Sequence, residues 1–191
     1  MKKLKTIAFL FISALLFSCG DDAYTPKPKG YFRVDLPKKE YKKITKDCPF
    51  TFETPTYTQL KADANRPNKP CWFDVDFTNL NARIYLSYKP IENNFAQYLE
   101  DSRSLAFKHT VKAFDIEQQP ISFPDKNVYG LIYSIEGNAA SAYQFHLTDS
   151  TNHFIRGSLY FNNIPNQDSI QPVLNFIKED INHIFETFEW N

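Results

Sequence analysis

Glycine is scarce in this chain, at five residues in 191, and none falls in a glycine-rich loop ahead of a helix. That excludes a phosphate cradle of the nucleotide-binding kind, and no Gly-x-Ser-x-Gly nucleophile elbow occurs either. The four histidines, His109, His146, His153 and His183, form neither His-x-His nor His-Glu-x-x-His, so no zinc motif is written locally. Neither sign of charge dominates, with 22 Lys and Arg against 22 Asp and Glu. Nucleic acid is therefore not an expected partner. No apolar run reaches the roughly 20 residues that a membrane-spanning helix needs.

What is present begins with Cys19. It closes a leader of basic start, Met1-Lys2-Lys3-Leu4-Lys5, and apolar middle, Ile7 to Phe17, ending Ser18-Cys19-Gly20-Asp21-Asp22. This resembles a bacterial lipoprotein signal peptide: the small Ser18 admits the peptidase, and the Cys19 thiol takes the lipid, a palmitate-type acyl chain. Phe17 departs from the pattern, where a smaller residue is usual. Residues 1–18 are expected to be removed, leaving Cys19 bound to membrane lipid. The stretch from Lys27 to Lys46 carries eight Lys and Arg against Asp35 and Glu40, with Pro26, Pro28, Gly30 and Pro37. It reads as a solvated basic tether over 19–46, ahead of one globular domain over 47–191.

Two cysteines remain, Cys48 before Pro49 and Cys71 before Trp72. In an exported chain such a pair reads first as a disulfide, closing a loop of about 24 residues worth roughly 3 kcal/mol. The alternative is two free, buried thiols.

Aromatic residues make up 16% of the chain, far more than a disordered protein carries. Apolar and polar residues alternate at Phe50–Phe52, Phe73–Phe77 and Ala82–Tyr88, and strands are also expected at 128–135, 141–148 and 154–161. A helix is expected from Phe95 to about Ala113. A second follows Pro165, with Ile170, Val173, Leu174, Ile177, Ile181, Ile184 and Phe188 at helical spacing, Asp168 and Gln171 as a capping box, and Pro172 in the first turn. Strands, helix, strands, helix with hairpin-length turns imply an α+β fold: a mainly antiparallel sheet of about six strands flanked by helices. The order is similar to the PsbP-type αβα sandwich.

Chemistry is poorly supported by local pattern. A hairpin turning at 149–152 would place His146 and His153 as diagonal neighbours on one sheet face, without a carboxylate or cysteine to complete a metal site. Lys108-His109 with Glu100-Asp101 reads as a charged helix face. Asp149-Ser150-Thr151 and Asp168-Ser169-Ile170 resemble the O-glycosylation signal of Bacteroidetes exported proteins, which makes Ser150 and Ser169 candidate sites. Their local roles are a turn and a cap. The expectation is a non-enzymatic protein without cofactor or metal.

The segments together resemble the GldD-type gliding motility lipoproteins of Bacteroidetes. The resemblance is carried by Tyr24-Thr25-Pro26-Lys27-Pro28-Lys29-Gly30-Tyr31-Phe32-Arg33, Cys48-Pro49-Phe50, Cys71-Trp72 and Leu86-Ser87-Tyr88-Lys89-Pro90. It continues through Lys108-His109-Thr110, Val128-Tyr129-Gly130, Gln144-Phe145, Thr148-Asp149-Ser150, Phe154 to Phe161 and the tryptophan-containing end. It implies a lipid-anchored envelope protein, its body in the periplasm, that assists assembly of the gliding and type IX secretion machinery through contacts with other envelope proteins. The alternative is a small-ligand or glycan-binding module using aromatics such as Trp72, Tyr85 and Tyr143. A hydrolase would require a perturbed carboxylate or histidine in a cleft.

Overall fold

Alternating apolar residues on Phe73, Val75 and Phe77 and on Ala82, Ile84 and Leu86 need a partner layer, and the amphipathic C-terminal helix supplies it. In the computed structural model, the described residues are Gly30, 33–63 and 66–191; the leader, Cys19 and the first part of the expected tether lie outside them. The elements run β1 (Tyr41–Lys43), β2 (Phe50–Thr51), β3 (Glu53–Pro55), β4 (Gln59–Ala62), β5 (Trp72–Phe77), β6 (Ala82–Pro90), α1 (Phe95–Phe107), β7 (Ala113–Phe123), β8 (Val128–Gly137), β9 (Ser141–Thr148), β10 (His153–Phe161), α2 (Gln167–Thr187) and β11 (Glu189–Trp190). Seven strands form one antiparallel sheet in the order β4-β5-β6-β10-β9-β8-β7. The fold is α+β, as expected.

On one sheet face Phe73, Val75, Ile84, Phe145, Leu147, Ile155 and Leu159 are almost wholly buried with Leu174, Ile177, Ile181 and Ile184 of α2. Phe50, Phe52, Phe73 and Phe188 extend this core as near-parallel rings, with Phe50 5.7 Å from Phe188 between centroids. Cys48 and Cys71 are joined beside these rings, with a Cα separation of 5.6 Å. Gly157 allows this packing, because a Cβ there would lie 2.1 Å from the Phe145 ring.

Three expectations are corrected. The first helix stops at Phe107, a 3-10 turn covers Lys108–Val111, and β7 starts at Ala113. β7 carries no strand signal in its sequence, because it is an edge strand exposed over most of its length, so its residues do not alternate, and it contains Pro120. Proline is tolerated at an edge, where its missing N–H breaks no ladder. The strand at Phe50 pairs with β11, outside the main sheet.

The boundary at residue 46 also moves. Tyr41–Lys43 pair with Glu53–Pro55, and Ile44 is buried. Asp180, fully buried among the apolar residues of α2, accepts bonds from Lys39 Nζ at 2.8 Å, Tyr41 OH at 2.9 Å and Tyr57 OH at 2.5 Å. A buried carboxylate needs a counter-charge, and the supposedly solvated Lys39 provides it.

The helix starts ahead of the expected cap: Asn166 occupies the N-cap without a side-chain cap bond, Asp168 lies in the first turn, and Gln171 Nε2 donates to Asn175 Oδ1. Pro172 is accordingly the sixth helical residue and not part of the first turn.

Candidate functional site: a cleft between the first helix and the sheet

The period of two along β6 and β10 sends Arg83, Tyr85, Ser87 and Lys89, with Phe154, Arg156, Ser158 and Tyr160, to the face opposite α2. There α1 covers only part of the sheet. Its Ser102 Oγ lies 3.2 Å from His146 Nδ1, and its Tyr98 ring is 5.4 Å from Phe154. Beside α1, over β5, β6 and β10, lies a cleft of about 710 Å³ whose lining includes Trp72, Asp74, Tyr85, Lys108, Arg156 and Tyr160. Tyr85 and Tyr160 meet edge to face at 5.5 Å, and Tyr85 is 43% exposed.

The expected aromatic trio is split. Trp72 and Tyr85 line the cleft, whereas Tyr143 lies on the other face, buried under Lys178. Lys108 and Asp101 also line it, while Glu100 pairs with Arg103 at 3.7 Å.

The pairing of His146 with His153 is corrected. Phe154 pairs with Thr148, so His146 stands opposite Arg156 and shares its face with Phe154. His153 points to the opposite face, stacked on Trp190 at 5.1 Å and bonded through Nδ1 to Tyr88 OH at 2.8 Å. The reason is the turn: Asp149 Oδ1 accepts the backbone N–H groups of Thr151, Asn152 and His153, displacing the register by one residue. Burial raises the Asp149 carboxyl, and these three bonds outweigh it and hold it below the usual range. Ser150 occupies this turn at φ 68°, and Ser169 Oγ donates to the Asn166 carbonyl; both residues are exposed.

Burial and the nearby Arg156 charge push His146 down to about 4, and lower His109 for the same two reasons. Asp74 in the cleft is raised by burial, against the pull of Arg83, whose Nη1 is 3.3 Å from its Oδ2. These are the perturbed groups a hydrolase would need, but their geometry serves it poorly. Ser102 is 98% buried, since only 2% is exposed. An imidazole titrating near 4 is a weak base at neutral pH, and Asp74 is held by Arg83. No group of three or more metal-ligating side chains occurs among the described residues.

Arg156 stands in the sequence only within the family-like segment Phe154 to Phe161 and is not among the expected site residues. Its only signal was a lone arginine inside the β10 run Phe154-Ile155-Arg156-Gly157-Ser158, on the side where polar residues alternate.

A seven-stranded antiparallel sheet, filled on one face by α2 and half covered on the other by α1, defines a PsbP-like α+β sandwich. The solution structure of cyanobacterial PsbP (CyanoP) from Synechocystis sp. PCC 6803 matches it at a TM-score of 0.50 and 7% identity, over 84% of this chain and 98% of that one. No curated protein matches the chain. The family profile described as gliding motility lipoprotein GldD matches residues 21–190, and the chain belongs to that family.

Proposed function

We propose that this gliding motility lipoprotein is an assembly factor of the gliding and type IX secretion machinery, working by contact with other envelope proteins. Cys19 carries the acyl chains, the leader 1–18 is removed, and the body stands in the periplasm. The observation that carries the reading is the open sheet face beside α1. Its floor carries Ser87, Arg156 and Ser158, and its rim carries the exposed Tyr85 and Leu105. Exposed apolar side chains at the rim of a polar concavity suit a reversible protein contact.

The role is non-catalytic. Ser150 and Ser169 are sites of O-glycosylation in this reading, which an intact mass of the mature protein checks, because each glycan adds to lipid plus polypeptide.

Photo-crosslinking in gliding cells tests the docking surface. A photoreactive residue at Tyr85 is expected to trap one discrete envelope protein, while one at Asn175, exposed on α2, is not. Equal labelling from both positions, or none from Tyr85 in folded protein, refutes it.

A further inference from the structure

Among the described residues, Arg156 is a cation without a counter-ion. It stands in mid-strand on β10, and its Nη2 donates to Gln144 Oε1 at 2.5 Å. Among the described residues its enclosed Nε finds no acceptor, and neither does Nε2 of Gln144, which is only 1% exposed. Among the described residues no carboxylate forms an ion pair with Arg156.

The acidic residues lining the same cleft do not supply the missing charge. Asp74 is held by Arg83 at 3.3 Å, and Asp63 lies 3.7 Å from Arg66. Lys89 and Lys108 add further positive charge, against Asp101. The titrating neighbours report the same imbalance, since burial and then the Arg156 charge hold both His146 and His109 below their ordinary range. Burial likewise lowers the Arg156 guanidinium itself.

An unpaired, partly desolvated guanidinium is costly, and the cost is relieved when an anion arrives. Its planar fork suits a carboxylate, which it can hold through parallel N–H bonds. A cleft of about 710 Å³ is far larger than one free carboxylate needs. Its flanks are aromatic, with Trp72, Tyr85, Tyr98 and Tyr160 placed to pack the stems of neighbouring side chains.

We propose that this cleft receives an acidic peptide segment of an envelope partner, with Arg156 as the counter-ion of one of its carboxylates and Lys108 at the rim. The inference rests on the reading of this face as a docking surface and names the chemistry of what docks there.

The test uses the full-length acylated protein in nanodiscs and, as probe, a short fluorescein-labelled oligoglutamate followed by anisotropy. An oligoglutamine of equal length, sodium acetate and inorganic phosphate are the comparators. Oligoglutamate is expected to bind in a salt-sensitive manner and oligoglutamine not to bind. Arg156→Gln should weaken binding by at least about tenfold. Lys108→Gln, at an exposed position where folding is not at stake, should weaken it less and flatten the salt dependence. A purely structural role for Arg156 would lower the unfolding midpoint and leave the Lys108→Gln protein unchanged. That result overturns the proposal, as does equal affinity of wild type and Arg156→Gln. Displacement of the peptide by acetate or phosphate at equal concentration also overturns it, in favour of a free small anion. Absent peptide binding with Tyr85 cross-links intact defeats this inference alone, whereas loss of both defeats the docking face as well.

Discussion

Gly157 lies on β10 directly against the Phe145 ring, which itself meets Phe185 of α2 edge to face at 4.8 Å. Because Phe145 is 2% exposed and pinned from the helix side, it has little room to yield. Gly157→Ala is expected to cost about 2–3 kcal/mol in urea unfolding, in the range of core overpacking; a loss below about 0.5 kcal/mol would show that the ring moves freely. His146 makes a pH-dependent contribution. Unfolded, the imidazole protonates near 6.5, whereas folded it stays neutral down to about 4. The unfolded state therefore binds the extra proton between those values, and stability falls as pH drops from about 6.5 to 4, by about 3 kcal/mol in all. His146→Gln should remove most of that slope in pH-dependent denaturation, and an unchanged slope would place its origin elsewhere. Neither feature could be read from composition. Gly157 appears in sequence only as one of few glycines, and the environment of His146 depends on a register set by the Asp149 turn.

At the scale of elements, periodic segments were legible and context-dependent ones were not. α2 announces itself through Ile170, Leu174, Ile177, Ile181 and Ile184, because one helical face must meet the sheet. β5, β6, β8, β9 and β10 show their turns or their alternation. β7 does not, since an edge strand lacks a neighbour on one side and is mostly exposed. β1 was hidden for another reason: Lys39, Tyr41 and Lys43 look solvated until Asp180 is placed 137 or more residues further on, where it draws Lys39 and Tyr41 to itself. Asp180→Ala should leave the Tyr41 and Tyr57 hydroxyls without their acceptor and cost about 3 kcal/mol. It should also open the segment before β2 to limited proteolysis. A protease-resistant segment in that variant would mean that the β1–β3 pairing holds it unaided.

For the whole molecule, the two faces of the sheet divide the work. The α2 face carries stability: fused aromatic packing, the Cys48–Cys71 link beside it, and the strap over Asp180. The α1 face carries polar and charged residues that stability alone does not explain, with Arg156 and Gln144 retaining donors unmet among the described residues. Family membership, suggested by ordered short segments and shown over residues 21–190, places this asymmetry in a gliding motility lipoprotein. The measurement that bears most directly on the account is colony spreading of cells that carry Tyr85→Ala with Leu105→Glu, compared with Asn175→Trp on the exposed side of α2. Both proteins must show wild-type unfolding midpoints and membrane fractionation. The account predicts that the cleft-rim variant abolishes gliding and the α2 variant glides normally; normal gliding by the cleft-rim variant would contradict it.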